Sequence, residues 1–230
     1  MWAIVPCKRL GLAKRRLAPA LSEGECRLLV RNMASDVLAV LARSSGIDGI
    51  LVVSGDPAIA ELAGDFGARC LDEQTDEGFS SACAVATVHL AGRGAVGIMV
   101  VPVDLPLLRH EDIELVVDAM RETPAVVLSP DRNDSGTNLM AMKPAGVIPY
   151  LFGENSFSLH LSAARNRGVE PAITRTETLA LDIDTREDLI AFARTPSMTR
   201  TFRYLAETGI RDRLLEGGEC DLPLTGSGRR

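Results

Sequence analysis

The chain has 230 residues, 46% of them apolar, and its acidic residues outnumber its basic residues 31 to 25. This length can supply one full hydrophobic core, and the net charge of −6 disfavours nonspecific binding to nucleic acid or to an anionic membrane. No uncharged apolar run reaches about 18 residues, so no transmembrane helix is expected. The first residues lack the apolar stretch of a secretory signal, and we expect a cytoplasmic protein. The five cysteines form no CxxC pair and the three histidines are scattered, which predicts reduced thiols and gives a zinc site little support.

Strands and helices alternate along the first half of the chain. The predicted order is strand 2–5, helix 22–42, strand 49–53, helix 57–64, strand 68–71, helix 80–90 and strand 95–103. Ser22 and Glu25 form a capping box at the start of the long helix. Strand 95–103 is almost wholly apolar, which is typical of a central parallel strand buried on both faces. It ends at Asp104.

The second half continues the alternation. Its predicted order is helix 110–121, strand 125–128, polar loop 129–136, strand 137–142, helix 156–167, extended segment 169–173, strand 179–183, helix 185–193 and helix 198–215. Ser156 and Thr185 are predicted N-caps. Residues 1–216 are expected to form one domain, and residues 217–230 a disordered tail. The pattern predicts an α/β fold with a doubly wound, mostly parallel sheet that binds its ligands beyond the carboxyl ends of the strands.

The loop after the first strand is strongly basic. It holds Lys8, Arg9, Lys14, Arg15 and Arg16, and no acidic residue occurs before Glu23. Such a local positive field in an acidic protein suits a polyphosphate. The alternative is an ordinary solvated surface loop.

Acidic residues follow two of the predicted strands. Asp104 ends the buried central strand, where a carboxylate needs a partner or a metal ion, and Mg²⁺ prefers one or two carboxylates together with phosphate oxygens. Asp182 and Asp184 follow the last predicted strand, and one of them could complete a magnesium site. The alternatives are helix capping by Asp104, and capping by Asp184 beside Thr185.

Two further polar segments are candidates for ligand binding. Residues 130–138 follow the predicted strand 125–128, and residues 152–156 precede the predicted helix 156–167. The second leads into a helix whose N-terminus could bind an anion, although ordinary capping is the alternative. The chain has no Walker A motif, no G-x-G-x-x-G after the first strand and no G-x-S-x-G elbow. These features favour metal-assisted phosphate chemistry without a covalent nucleophile.

Seven segments together resemble a known family. They are Ile4-Val5-Pro6-Cys7-Lys8, Ala13-Lys14-Arg15-Arg16-Leu17, Val53-Ser54-Gly55-Asp56, Asp104-Leu105-Pro106, Pro130-Asp131-Arg132 with Gly136-Thr137-Asn138, Phe152-Gly153-x-x-Ser156-Phe157-x-x-His160 and Leu181-Asp182-Ile183-Asp184-Thr185. In order and spacing, across residues 2–193, they resemble the 2-phospholactate guanylyltransferase family (CofC/FbiD) of coenzyme F-420 biosynthesis. The resemblance implies a three-layer, nucleotide-diphospho-sugar-transferase-like fold (GT-A/MobA-like). It also implies transfer from GTP to phosphoenolpyruvate or 3-phosphoglycerate, with 2-phospholactate less favoured, and release of pyrophosphate.

The resemblance also assigns roles to individual residues. Thr137, Gly153 and Ser156 would hold the acceptor phosphate. Mg²⁺ would be held by Asp104 with Asp182 or Asp184, and Asp104 and Lys14 would be the catalytic residues. The GTP site would comprise Lys8, Lys14, Arg16, Ser54, Gly55, Gly78 and Ser80.

One departure from the family leaves base selectivity open. Many relatives have Gly-Leu-Asn-x-Ala where this chain has Gly78-Phe79-Ser80-Ser81-Ala82, so that Ser80 replaces an amide. The alternatives are another MobA-like nucleotidyltransferase or a non-catalytic nucleotide-binding protein. A homodimer is possible, and neither a nucleic-acid nor a membrane partner is expected.

Overall fold

The computed structural model describes residues 1–12, 14–72 and 77–216, so the predicted tail 217–230 lies outside the described residues. Within these ranges one sheet contains the strands β1 (Trp2–Pro6), β2 (Gly49–Val53), β3 (Arg69–Leu71), β4 (Ile98–Val100), β5 (Ala125–Pro130), β6 (Thr137–Lys143) and β7 (Ala172–Ile173). The helices are α1 (Glu23–Leu41), α2 (Pro57–Asp65), α3 (Phe79–Ala91), α4 (His110–Ala119), α5 (Ser156–Asn166), α6 (Glu177–Ala180), α7 (Arg186–Ala193), α8 (Arg200–Glu207) and α9 (Ile210–Glu216). Two 3-10 turns, Leu10–Leu12 and Arg15–Leu17, lie between β1 and α1.

The sheet is mostly parallel, which confirms the predicted fold class. Its strand order is β3-β2-β1-β4-β6-β5-β7. Only β6 runs antiparallel to its neighbours β4 and β5 among the described pairings. The short connection 131–136 between β5 and β6 explains this direction, since a parallel crossover needs a dozen or more residues. The start of β6 therefore lies at the edge of the sheet where β1 and β4 end.

Helices cover both faces of the sheet and create two apolar cores. Ala3 and Val5 of β1 pack in the core beneath α1, α2, α4 and α7 to α9, while Ile4 packs in the core beneath α3 and α5. This alternation follows from the two-residue period of a strand. The result is three layers with the sheet in the middle.

The pairing of β5 with β6 is irregular at one position. Ser129 pairs with Leu139, but Pro130 pairs with Thr137, so Asn138 is the extra residue of a bulge. Regular pairing resumes toward Lys143. The bulge lies at the start of β6, next to the end of the sheet where ligands are expected.

The predicted strand 179–183 is wrong. Residues Glu177–Ala180 form α6, capped by Thr176, and Leu181 to Asp184 pair with no strand. Leu179, Leu181 and Ile183 are apolar at alternate positions, which imitates the sequence pattern of a half-buried strand, although only Leu179 and Ile183 are buried. In place of a ladder, the Ile183 amide donates a hydrogen bond to the Asp104 carbonyl at 3.0 Å.

Two other boundaries also differ from the sequence prediction. The helix predicted over 198–215 is divided into α8 and α9 by Gly209, whose φ of +72° is left-handed and ends the first helix. The strand predicted over 95–103 is paired only over Ile98–Val100, between parallel β1 and antiparallel β6. The chain beyond it still leads directly to Asp104.

Candidate active site

A cleft opens at the edge of the sheet where β1 and β4 end and β6 begins. It consists of two adjoining cavities of ≈ 400 and ≈ 780 Å³. The smaller one is lined by the basic loop and the larger one by the start of β6 and the loop before α5. Both cavities share Arg16, Phe79, Pro102, Asp104 and Asp184.

Lys14 forms the centre of an ion-pair cluster between the cavities. Its Nζ lies 2.5 Å from Asp104 Oδ2 and also pairs with Asp184 Oδ1. Burial lowers the pKa of Lys14, but the two carboxylates outweigh burial and hold that pKa above its ordinary value. The ammonium is therefore charged and bridges two carboxylates that are 80 residues apart in the sequence.

Asp182 completes a group of three carboxylates. Oxygens from Asp104, Asp182 and Asp184 lie within 4.8 Å of one another, and among the described residues this is the one such group able to hold a metal ion. Burial raises the pKa of Asp182 to about 6, and the charges of the other two aspartates add to the rise. The second oxygen of Asp104, Oδ1, is buried and has no hydrogen-bond partner among the described residues. This set of hard oxygen ligands, one of them unsatisfied, fits a divalent cation such as Mg²⁺.

Hydrogen bonds from the backbone and from one side chain hold two of these acids in place. The Val101 amide bonds to the Ile4 carbonyl at 2.9 Å and fixes the chain leading to Asp104. Asn138 Nδ2 donates to the Leu179 carbonyl at 2.9 Å and to Asp182 Oδ1 at 3.2 Å. Asp104 is thus held relative to β1, and Asp182 relative to β6.

The predicted acceptor residues lie together at the other end of the larger cavity. The Thr137 amide donates to Ser156 Oγ at 2.9 Å, and Thr137 Oγ1 contacts His160 Nδ1 at 2.9 Å. Gly153 precedes the helix with φ +131°, a conformation that favours glycine. Thr137, Gly153 and Ser156 all line the cavity.

Ser156 is not the N-cap of α5, contrary to the sequence prediction. The N-cap is Asn155, with φ +56°, and Ser156 is the first helical residue. The Ser156 hydroxyl turns toward Thr137 of β6 and so cannot cap its own helix.

The other predicted nucleotide residues divide into two groups. Lys8 and Arg16 line the smaller cavity, and Gly78 and Ser80 line the larger one. The Ser80 hydroxyl accepts a hydrogen bond from the Phe152 amide at 3.1 Å, which links α3 to the acceptor loop.

Ser54 and Gly55 lie outside the lining of both cavities. Ser54 is buried, and its hydroxyl accepts a hydrogen bond from the Asp56 amide at 3.2 Å. The structure therefore does not bring this pair together with the other predicted site residues.

Sequence reasoning assigned no role to Asn138 or His160, which both contact site residues. Asn138 and His160 lie in two of the segments that carry the family resemblance, which assigns neither of them a role. Neither position has a spacing that predicts its partner, because Asp182 and Thr137 belong to other elements. Only the three-dimensional packing reveals these contacts.

The larger cavity is strongly acidic. Its lining includes one arginine, Arg16, against the six carboxylates Glu77, Asp104, Asp131, Glu154, Asp182 and Asp184. A phosphorylated ligand in this cavity would meet unfavourable electrostatics unless cations accompany it.

Comparison with known proteins identifies the family of this chain. A family model described as "Guanylyl transferase CofC like" matches residues 1–222. The chain belongs to this family. The phosphoenolpyruvate guanylyltransferase of Sphaerobacter thermophilus is 37% identical over 187 residues, covering 81% of this chain and 89% of that protein. The 2-phospho-L-lactate guanylyltransferase of Methanothermobacter thermautotrophicus is 33% identical, covering 81% of each chain.

Solved structures show the same fold. A protein from Desulfovibrio desulfuricans described as a nucleotide-diphospho-sugar transferase has a TM-score of 0.75 at 17% identity, covering 92% of this chain and 96% of that one. A nucleotidyl transferase from Methanothermobacter has a TM-score of 0.59 at 17% identity, covering 94% and 97%. The family and its fold confirm the resemblance, and this CofC-like chain is a nucleotidyltransferase. Within the described ranges, none of the helices has both the length and the apolar character of a membrane-spanning segment.

Proposed function

We propose that this CofC-like chain transfers a guanylyl group from GTP to the phosphate of a phosphorylated three-carbon acid, with phosphoenolpyruvate as the first candidate, in coenzyme F-420 biosynthesis. One observation carries the proposal: a single cleft joins a basic loop, a group of three carboxylates and a pocket of hydroxyls at a glycine turn. The names of the relatives support the choice of substrates, since six relatives at 34–37% identity are called phosphoenolpyruvate guanylyltransferases. 3-Phosphoglycerate is the second candidate, and 2-phospholactate the third.

The acceptor phosphate is assigned to the hydroxyl end of the cleft. The Ser156 hydroxyl oxygen accepts a hydrogen bond from the Thr137 amide, and the Thr137 hydroxyl oxygen contacts His160 Nδ1 on α5. Each hydroxyl oxygen therefore uses one lone pair toward the protein. Their hydroxyl protons are then available for donation to a phosphate oxygen. Gly153 lets the backbone turn closely around this position without a side chain in the way.

The nucleotide is assigned to the smaller cavity. Lys8 and Arg16 line it at the triphosphate side, and Pro6, Val30 and Phe79 provide apolar surface for the base and ribose. Positive side chains suit the triphosphate, while the apolar walls suit a planar ring. Because Ser80 bonds to the acceptor loop, it links the two substrate subsites.

A bound Mg²⁺ would be held by Asp104, Asp182 and Asp184, where it would neutralise phosphate charge and orient the reacting groups. The unsatisfied oxygen of Asp104 and the acidic lining support this assignment. Lys14 lies among the same carboxylates and is placed to contact a phosphate oxygen when a nucleotide binds.

The reaction is an in-line displacement at phosphorus. An oxygen of the acceptor phosphate forms a bond to the α-phosphorus of GTP, and the bond from that phosphorus to the bridging oxygen of pyrophosphate breaks. Phosphate monoesters are already largely ionised at pH 7, so no strong general base is required. The work of the protein is to bring these anions together in the correct orientation.

Pyrophosphate release tests the proposal directly. The protein is incubated with GTP, Mg²⁺ and each of the three acids in turn, with ATP in place of GTP as the nucleotide control. Release with GTP and phosphoenolpyruvate, and little release with ATP, is the expected result. A folded protein that binds GTP and releases no pyrophosphate with any of the acids would refute it.

A further inference from the structure

His160 is a buried histidine behind the acceptor pocket. It lies on α5, one turn after Ser156, and its side chain is fully buried. Both ring nitrogens are engaged, Nδ1 with Thr137 Oγ1 at 2.9 Å and Nε2 with the Leu151 amide at 2.9 Å. The edge of the ring also packs against Phe152, with centroids 5.0 Å apart.

These two contacts determine which nitrogen carries the proton. A backbone amide can only donate, so Nε2 must be the acceptor for Leu151. Burial lowers the pKa of His160 to about 4, so the ring is neutral at pH 7 and its single proton is on Nδ1. Nδ1 therefore donates to Thr137 Oγ1.

This donation fixes the direction of the Thr137 hydroxyl. Because the oxygen accepts from His160, the hydroxyl proton points away from the ring, and Thr137 lines the larger cavity. Through Leu151, the same ring also holds the start of the loop that carries Gly153. One imidazole thus positions two of the three acceptor residues.

We propose that His160 is a positioning residue for the acceptor phosphate, and that it acts by aiming the Thr137 hydroxyl into the cleft and anchoring the Gly153 loop. The inference rests on the proposed function, because it assigns the phosphate to Thr137. It does not make His160 an acid or a base, since the ring has no contact with the reacting atoms.

Two conservative substitutions separate the two contacts of the ring. His160→Gln can still accept from the Leu151 amide but removes the donor to Thr137. His160→Asn can still donate to Thr137 but removes the loop anchor. Loss of one aligned hydrogen bond should raise the KM for phosphoenolpyruvate about tenfold in His160→Gln, with kcat less affected and the KM for GTP unchanged.

Thr137→Val tests whether His160 acts through Thr137. If it does, His160→Gln should add little to the defect of Thr137→Val, so the two changes are not additive. Ser162→Ala is the matched control, because Ser162 lies on the same helix, is exposed and bonds to the Ser158 carbonyl. It should leave both KM values unchanged.

A spectroscopic measurement does not depend on activity. The ¹⁵N chemical shifts of His160 in the native protein at pH 7 should show a neutral ring protonated at Nδ1. A ring protonated at Nε2 would overturn the inference even if the variants fail to fold.

The kinetic outcomes distinguish the two proposals. An active wild type with a folded His160→Gln variant of unchanged acceptor KM refutes the role of His160 alone. Equal rises in the KM for GTP and for the acid also refute it, because they indicate a general disturbance. A wild type that is silent with all three acids refutes the proposed function, and the role of His160 with it.

Discussion

Replacement of Lys14 by Met should destabilise the protein and make its stability depend on a divalent cation. The change keeps the length of the side chain but removes the charge that bridges Asp104 and Asp184. Removing one partner of a fully buried ion pair costs about 3–5 kcal/mol. Here Lys14 and Asp104 are only 10% and 18% exposed, but Asp184 is 47% exposed and its share is screened by water.

The loss expected for Lys14→Met is therefore about 2 kcal/mol. At this chain length each kcal/mol lowers Tm by about 2–4 °C, so a fall of about 4–8 °C is expected without metal. Mn²⁺ should restore much of this loss, because a cation among the three carboxylates replaces the missing positive charge.

Thermal melts and Mn²⁺ binding measured by electron paramagnetic resonance check this reasoning. Without nucleotide, the variant should bind Mn²⁺ about tenfold more tightly than the wild type. This factor corresponds to the cation recovering about 1.4 of the roughly 2 kcal/mol that is lost with Lys14. Arg16→Met is the matched control, because Arg16 is an exposed cation that lines both cavities. A Lys14→Met protein with unchanged Tm, or with Mn²⁺ affinity equal to or weaker than that of the wild type, would show that Lys14 is not the counter-ion of these carboxylates.

Three further predictions concern other parts of the molecule. Asp104→Asn should abolish pyrophosphate release while circular dichroism shows an intact fold, and unchanged turnover would remove Asp104 from the mechanism. Lowering the pH from 7 to 5 should cost the wild type about 2 kcal/mol of stability through His160. In the unfolded chain this histidine has a pKa of 6.5 and takes up a proton, whereas the buried ring, whose pKa is about 4, stays neutral. Urea unfolding of wild type and His160→Gln isolates this contribution, and equal pH slopes would contradict it. Asp36→Ala should lower the free energy of unfolding by about 3 kcal/mol, because the buried carboxylate accepts hydrogen bonds from the Arg200 amide and from the amide and hydroxyl of Thr201. A loss below about 1 kcal/mol would mean that α8 does not depend on these hydrogen bonds.

Local signals in the sequence predicted most of the elements. The capping box of Ser22 and Glu25 places the start of α1, and the apolar run ended by a turn gives β2 with its observed bounds. These signals depend on neighbouring residues, and so they can be read without knowing the fold. The apolar alternation of Leu179, Leu181 and Ile183 predicts a strand wrongly, because apolar residues at every second position give the same pattern whether or not a neighbouring strand is present.

The candidate site was predictable as a set of residues but not as a set of contacts. Asp104 could be found because it ends an apolar strand, and the basic loop because five cations occur without an acid. The pairing of Lys14 with Asp184 joins residues 170 positions apart, and no spacing encodes it. The same holds for His160, since a lone histidine on a helix gives no indication of what its ring contacts.

The bulge at Asn138 determines which way the first side chains of β6 point. In a regular strand Thr137 would share the face of Leu139 and Ala141, which pack in the core beneath α1. The extra residue reverses this alternation, so Thr137 reaches His160 on α5 while Asn138 reaches Asp182 on the opposite side of the sheet. Two adjacent residues, about 3.4 Å apart along the strand, therefore serve the acceptor pocket and the carboxylates separately. Deletion of Asn138 would remove the bulge and the contact to Asp182, while Thr137, now next to Leu139, would keep the face toward α5, so the carboxylate end of the cleft would be disturbed and the acceptor end spared.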